Sequence, residues 1–464
     1  MNDRNEGGRE MKRLFLGMVF LSVLLVLGAC GDRSNEGAST NKNETENNGA
    51  ENSGSDDKPN EEKEDVTLLF YASAAIGDFE GYWKPLIEEK LPHITVEYME
   101  GNMAHANHVE ELTAGGVVQD IVFGSTSESA LTLKQFELGY DLTELIEKND
   151  FDLSRFNQEH LDNWTAWSDG EIWFLPFMKD IFALHYNKDV FDLFGVPYPT
   201  DDMTWEEVIE LSKKVTGERN GVQYRGLHVA DMGLTALSQV TGDLNLIDPE
   251  TEEVLWTEDQ RLVKLLDMVE EVHTIPGNEF PNVPSEISPF GAFLEGTLAM
   301  LPRWFVFPTE EDGINWDIVT FPQWEENLGV GPAAEGWALA ITDTSEHKEE
   351  AFEVLELLYS DEHIMDLAST PLHVPYDHLL ESGAALEHLN EEDHGHFMDK
   401  NLEALSKLTS ASAPAKRSEY DIGAFQTISK IAYAYLDSGK DMNTFLREIR
   451  EQEEVRVKEE TGKN

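Results

Sequence analysis

The sequence predicts an α/β fold built on an at least partly parallel sheet and spread over two or three domains. A strand, a helix and a second strand follow one another from Val66 to Tyr98, and the pattern recurs directly afterwards. The 464 residues, 40% of them hydrophobic and including 10 Trp and 23 Phe, supply enough apolar surface for a large core.

Val66 to Tyr71 reads as a buried strand. Phe79, Trp83, Leu86, Ile87 and Leu91 recur at helical spacing and predict a helix from Phe79 to Leu91, and Ile94 to Tyr98 reads as the second strand. A helix near His108 to Ala114 then leads into the strand Asp120 to Phe123, which runs out at Gly124-Ser125. Thr204 followed by Glu207 is a capping box that opens a helix carrying Val208, Leu211 and Val215 inward. Ala351, Phe352, Leu355, Leu358 and Tyr359 mark another amphipathic helix. In open α/β sheets ligands sit beyond the carboxyl ends of strands, which points to the loops after Tyr71 and Phe123.

Ahead of these elements, Lys12 and Arg13 precede the apolar run Leu14 to Val26, and Leu27-Gly28-Ala29-Cys30 closes it. This is a signal-peptide layout, and the run is shorter than the roughly 20 residues that span a bilayer. Three acidic residues within Met1 to Glu10 disagree with a positive leader, and Met11 is an alternative start. Leu27 to Cys30 resembles the lipobox of bacterial lipoproteins, which implies cleavage before Cys30 and acylation of its sulfur. From Gly31 to Asp65 the chain is polar, lacks aromatic residues and has no apolar period, so it reads as a disordered tether.

The net charge is −57, from 34 basic and 91 acidic side chains. Residues 1–30 carry +1 and residues 31–65 carry −7, leaving −51 on the folded part. Such a field repels phosphate backbones and excludes nucleic acid as a partner. An evenly solvated acidic coat or a cation-binding surface both fit the excess. The single Cys excludes an internal disulfide and a thiolate metal cluster.

Signatures of nucleotide, serine-hydrolase and zinc-hydrolase chemistry are missing: there is no Gly-x-x-x-x-Gly-Lys-Ser/Thr, Gly-x-Gly-x-x-Gly, Gly-x-Ser-x-Gly or His-Glu-x-x-His. His388, His394 and His396 beside Glu391, Glu392 and Asp393 read as a polar helix end rather than a metal site. Asp243, Asn245 and Asp248 begin like a calcium loop but lack its central Gly and terminal Glu. No cofactor or metal is expected.

One long match remains. Asp169-Gly170-Glu171-Ile172-Trp173-Phe174-Leu175-Pro176-Phe177 is followed by Leu184-His185-Tyr186-Asn187-Lys188-Asp189-Val190-Phe191, then Gly195-Val196-Pro197, then Thr204-Trp205-Glu206-Glu207. Phe293 to Met300, ending at Trp304, and Gly336-Trp337-Ala338-Leu339-Ala340-Ile341 continue the series. In order and spacing these blocks resemble the family 1 extracellular solute-binding proteins of ABC importers, the group that includes the maltose-binding protein. The resemblance implies a two-lobe, periplasmic-binding-protein-like (type II) α/β fold, with a ligand cleft between lobes joined by hinge crossovers. It places residues 66–181 and about 335–375 in the first lobe and residues 184–330 and about 376–464 in the second. Pro302-Arg303 and Glu335 depart from the family pattern and are candidate ligand-selecting substitutions.

A sugar presents apolar C–H faces to aromatic rings and hydroxyl edges to polar side chains. The motifs offer Tyr71, Trp173, Trp304 and Trp337 as platforms, each also able to serve as a core aromatic. Asp180, six residues before Tyr186, falls where the maltose-binding relatives carry a sugar-binding carboxylate, or else caps the hinge. Ser73, Asp78 and Ser125 lie in strand-end loops, and Arg303 suits hydroxyls, a uronate or a salt bridge. Tyr186, Asn187 and Lys188 are assigned to the fold near the hinge.

The resemblance implies a monomeric, lipid-anchored receptor on the outer face of the cell membrane. It captures a sugar or oligosaccharide by hinge closure and passes it to permease subunits driven by a separate ATPase, without catalysing a reaction. A glycoside hydrolase using two carboxylates and a cation receptor are the competing readings.

Overall fold

The computed structural model describes residues 63–73, 76–229, 237–239, 244–279, 288–304, 308, 312–334, 336–367, 376, 379 and 399–462. Cys30, the leader, residues 31–62 of the expected tether, Glu335 and the histidines between 388 and 396 lie outside them, as does Asp243, whereas Lys63 at the end of that segment pairs with Glu353 at 2.6 Å.

Two five-stranded sheets carry the architecture. The first contains β1 (Val66–Ala72), β2 (Ile94–Glu100), β3 (Ile121–Ser125), β4 (Phe174–Lys179) and β11 (Gly336–Ile341) in the order β2-β1-β3-β11-β4. β1 pairs in parallel with β2 and β3, while β11 runs antiparallel between β3 and β4. The second contains β5 (Phe182–Asn187), β6 (Gly217–Arg219), β7 (Val222–Leu227), β8 (Leu298–Trp304) and β9 (Trp316–Thr320) in the order β6-β7-β8-β5-β9. Two short strands, β10 (Val330–Ala333) and β12 (Thr409–Ala411), pair in parallel apart from both sheets.

Helices cover both faces of each sheet. On one face of the first, α1 (Lys84–Lys90) contributes Ile87, and α4 (Thr143–Lys148) contributes Leu145 and Ile146. α10 (Lys348–Leu358) adds Ala351, Phe352 and Leu355 there, next to α11 (Asp361–Leu367). On the opposite face, Val109 of α2 (Ala106–Ala114), Ala130 and Leu133 of α3 (Thr126–Gln135) and Trp164 of α5 (Gln158–Thr165) pack on Tyr71, Val122, Phe174 and Ala338.

In the second lobe α6 (Lys188–Phe194), α7 (Trp205–Val215) and α8 (Gln260–Thr274) share one core with α12 (Asp421–Ser438) and α13 (Met442–Glu460). The other face is closed by α9 (Pro289–Leu294), whose Phe293 packs on Leu298 and Ile318.

Local chemistry accounts for the ends of these elements. Thr204 and Glu207 form the capping box reciprocally at the start of α7. Asn187 accepts from the backbone N–H groups of Asp189 and Val190 and so opens α6. The helix expected from Phe79 to Leu91 is divided: Phe79–Trp83 forms a wider turn, and α1 begins beside Pro85. Proline has no N–H to continue the earlier helix and suits a helix start.

Candidate functional site at the junction of the two sheets

β4 ends at Lys179 and β5 begins at Phe182, so Asp180 and Ile181 alone connect the first sheet to the second here. Strand register gathers residues around this link. Gly336 lies opposite Lys179, and Trp337 lies opposite both Met178 and Ser125. On the far side Trp304 lies opposite Phe182. Ser125 and Trp304 are therefore the last residues of β3 and β8, Trp337 stands at the start of β11, and Asp180 lies in the link between the two sheets.

Gly336 makes this packing possible. Its φ is +148°, and a Cβ there would lie 1.9 Å from the Met178 carbonyl oxygen. No larger residue fits that approach. The next residue, Trp337, is half-buried and lies flat on Phe123, with centroids 5.0 Å apart and planes 13° apart. Trp304, by contrast, is 48% exposed. The Arg303 guanidinium sits 4.4 Å over the Trp304 ring and 4.3 Å over that of Phe290. These groups, with His228 and Ser288, border a cavity of about 260 Å³ at the ends of β7 and β8.

Asp180 is solvent-exposed in the link between the sheets, with protein packed around it. Loss of hydration pushes its carboxyl up to about 6. Lys179 is half-buried beside it, and its charge adds to the burial that pushes the enclosed His160 down to about 3.

Tyr71 and Trp173 lie away from this link. Tyr71 is fully buried on the face opposite Trp337, its hydroxyl 2.9 Å from His108 Nδ1, and Gly101 is pressed against its ring. Alternation along β1 decides this, because Tyr71 shares its side with Val122 and not with Phe123. Trp173 precedes Phe174, which pairs with Ala340, so it stands at the end of the sheet away from Trp337. Its indole N–H donates to Glu171 at 2.7 Å, and its ring covers Gly139. Asp78 accepts from the Gly81 N–H and caps its own turn, and Ser73 is half-buried in the same loop.

His228 and Phe290 belong to the cavity without having been singled out in the sequence. His228 directly follows β7, whose run Val-Gln-Tyr-Arg-Gly-Leu is too mixed to announce a strand. Phe290 follows Pro289 at a helix start, a signal of structure rather than of a site. Asp248 spends its carboxylate on the Glu250 and Thr251 N–H groups of its own turn. Among the described residues, no group of three or more His, Cys, Asp or Glu is arranged to hold a metal.

Two α/β lobes, a short crossing and an aromatic-lined junction define a two-lobe solute-binding protein. Residues 76–365 match the model of the bacterial extracellular solute-binding protein family, and the chain belongs to that family. A sugar transporter from Rhizobium etli in an open conformation aligns with a TM-score of 0.67 at 23% identity, over 84% of this chain and 99% of its own. An ABC substrate-binding protein from Listeria monocytogenes in complex with cycloalternan aligns at 0.65 and 20%, over 85% and 99%. The sugar-binding protein MalE from Xanthomonas citri aligns at 0.66 and 16%, over 85% and 98%. At these identities the three structures speak for the fold. Among the described residues no helix is long and apolar enough to cross a membrane.

Proposed function

We propose that this chain is the substrate-binding lipoprotein of an ABC importer and that its solute is a sugar or oligosaccharide. The observation that supports the reading is strand register, which sets Trp337 opposite Met178 and Trp304 opposite Phe182, each two residues from Asp180 in the crossing between the lobes. Trp304 offers an open indole face to a pyranose ring. Asp180 and Ser125 would take hydroxyl groups, and Arg303, held against two rings, would donate to them. That structures of this fold include a sugar transporter and a complex with cycloalternan supports the choice of solute class.

A solute touching both lobes binds the closed arrangement more tightly than the open one and so draws the hinge shut. The closed form is then the one a permease reads. Acylated Cys30 and the polar segment after it would hold the folded part near the transporter, with the energy for import coming from a separate ATPase. The protein itself releases its solute unaltered.

A thermal-shift panel of neutral and uronic oligosaccharides tests this, with chromatography of the sugars afterwards. The expected result is stabilisation by one class without new products. Product formation sinks the receptor reading in favour of a hydrolase. Stabilisation by divalent cations alone sinks it in favour of a cation receptor.

A further inference from the structure

Behind the crossing lies a buried cation that the ligand site does not use. Arg417 is 6% exposed. Its backbone N–H donates to the Ala166 carbonyl at 2.8 Å, fastening this segment to the end of α5 in the first lobe. Its guanidinium reaches Asn163 Oδ1 of α5 at 3.3 Å and lies 3.9 Å from Asp421 at the start of α12. Two rings flank it at the same distance, 5.3 Å: Trp167 from the first lobe and Phe425 from α12.

Asn163, Trp167 and Asp421 are each anchored in their own lobe, while Phe425 packs on the cores of both. Asn163 donates to the Ala334 carbonyl between β10 and β11, and Trp167 packs in the core with Phe174 and Ala338. Asp421 accepts from the Ile247 N–H, while Ala424 and Ile428 sit in the core of the second lobe. The guanidinium is thus divided between one lobe's acceptor and the other's carboxylate, and at 3.9 Å the latter contact is not a hydrogen bond.

The crossing strands continue from one sheet to the other, so the two faces of the first sheet become the two sides of the junction. Trp337 and Phe123 occupy one side, and Trp164, Trp167 and Arg417 the other. In a hinge, approach on one side is separation on the other. Resting on the reading of the molecule as a two-lobe capture protein, we propose that Arg417 is a positioning residue: it ties the lobes together behind the crossing and thereby favours the open arrangement of the ligand-free protein.

The tie is tested without any solute. In the full chain carrying Cys30→Ser, spin labels are attached at Glu89→Cys and Glu218→Cys, both exposed and one in each lobe. The interlabel distance distribution is then measured by pulsed electron resonance. Arg417→Met should raise the closed-to-open ratio of the ligand-free protein at least about fivefold, the lower end of ordinary coupling between sites. Arg417→Lys retains charge but not the planar fork, and should fall between Arg417→Met and the parent. Circular dichroism and melting temperature are recorded alongside, since a merely structural residue would lower stability and leave the distribution alone.

Distributions that coincide in the parent and the folded Arg417→Lys protein, or a shift toward the open form, overturn the proposal. A failure here with a positive sugar panel leaves the capture reading in place. A distance shift with a negative panel keeps the tie and removes the sugar reading.

Discussion

The indole of Trp337 rests on the ring of Phe123, 5.0 Å between centroids and 13° from parallel, whereas Trp304 across the junction stands 48% exposed. The two rings are therefore supported differently, Trp337 by the core of its lobe and Trp304 by a neighbouring arginine. The difference separates what each residue does for stability from what it does for a solute.

Trp304→Ala should leave the urea midpoint close to that of the parent, within about 0.5 kcal/mol as for other exposed positions. It should nonetheless abolish most of the thermal shift given by the best oligosaccharide. Trp337→Ala should lower stability by about 2 kcal/mol, through loss of a half-buried ring and its stacking partner. A Trp304→Ala protein that responds fully to the sugar removes this residue from the site.

Gly336→Ala should be costly although it adds one methyl group. Its Cβ would lie 1.9 Å from the Met178 carbonyl oxygen, and its φ of +148° disfavours any side chain. A loss of roughly 2 to 3 kcal/mol is expected from the strain and the displaced strand pair. Chemical denaturation measures it, and an unchanged midpoint refutes the close approach.

Asp180 gives solute binding a pH dependence of definite sign. Crowding raises its carboxyl from 3.8 to about 6, so at pH 5 it is mostly protonated and at pH 7 mostly ionised. An ionised carboxylate accepts sugar hydroxyls more strongly, and affinity for a neutral oligosaccharide should rise by up to about tenfold across that interval. Its effect on folding runs the other way: the raised value favours the folded state at low pH, and this contribution is lost as pH rises through 6. Titration calorimetry at pH 5, 6 and 7 on the parent and Asp180→Asn checks the first effect. A flat profile in the parent contradicts it.

His160 governs part of the acid limb of stability. Burial holds its imidazole down at about 3 against 6.5 in the unfolded chain, so between these values only the unfolded chain takes up the proton. Stability is present above pH 6.5 and is lost as pH falls, about 2 kcal/mol of it by pH 5. Urea midpoints at pH 7 and pH 5 for the parent and His160→Phe should differ by less in the variant. Equal losses in both proteins refute the assignment.

Much of the first lobe could be read from local pattern. Val66 to Tyr71 and Asp120 to Phe123 are short apolar runs bounded by polar residues, and each became a parallel strand within one or two residues of its expected limits. Thr204 and Glu207 form their capping box because it needs four consecutive residues and nothing more. The site was legible only in part. Nothing in the sequence around Trp173 says that β4 runs antiparallel to β11, and that direction alone carries Trp173 to one end and Trp337 to the other.

The sequence by itself determined the α/β class, the strongly acidic charge and the family resemblance, because composition, hydrophobic period and ordered motifs are properties of neighbours along the chain. Only tertiary structure decided that Tyr71 turns into the core, that Trp304 faces solvent and that Asn163, Arg417 and Asp421 meet. Strand order, register and helix packing join residues more than two hundred positions apart, and no local pattern records which of them will touch.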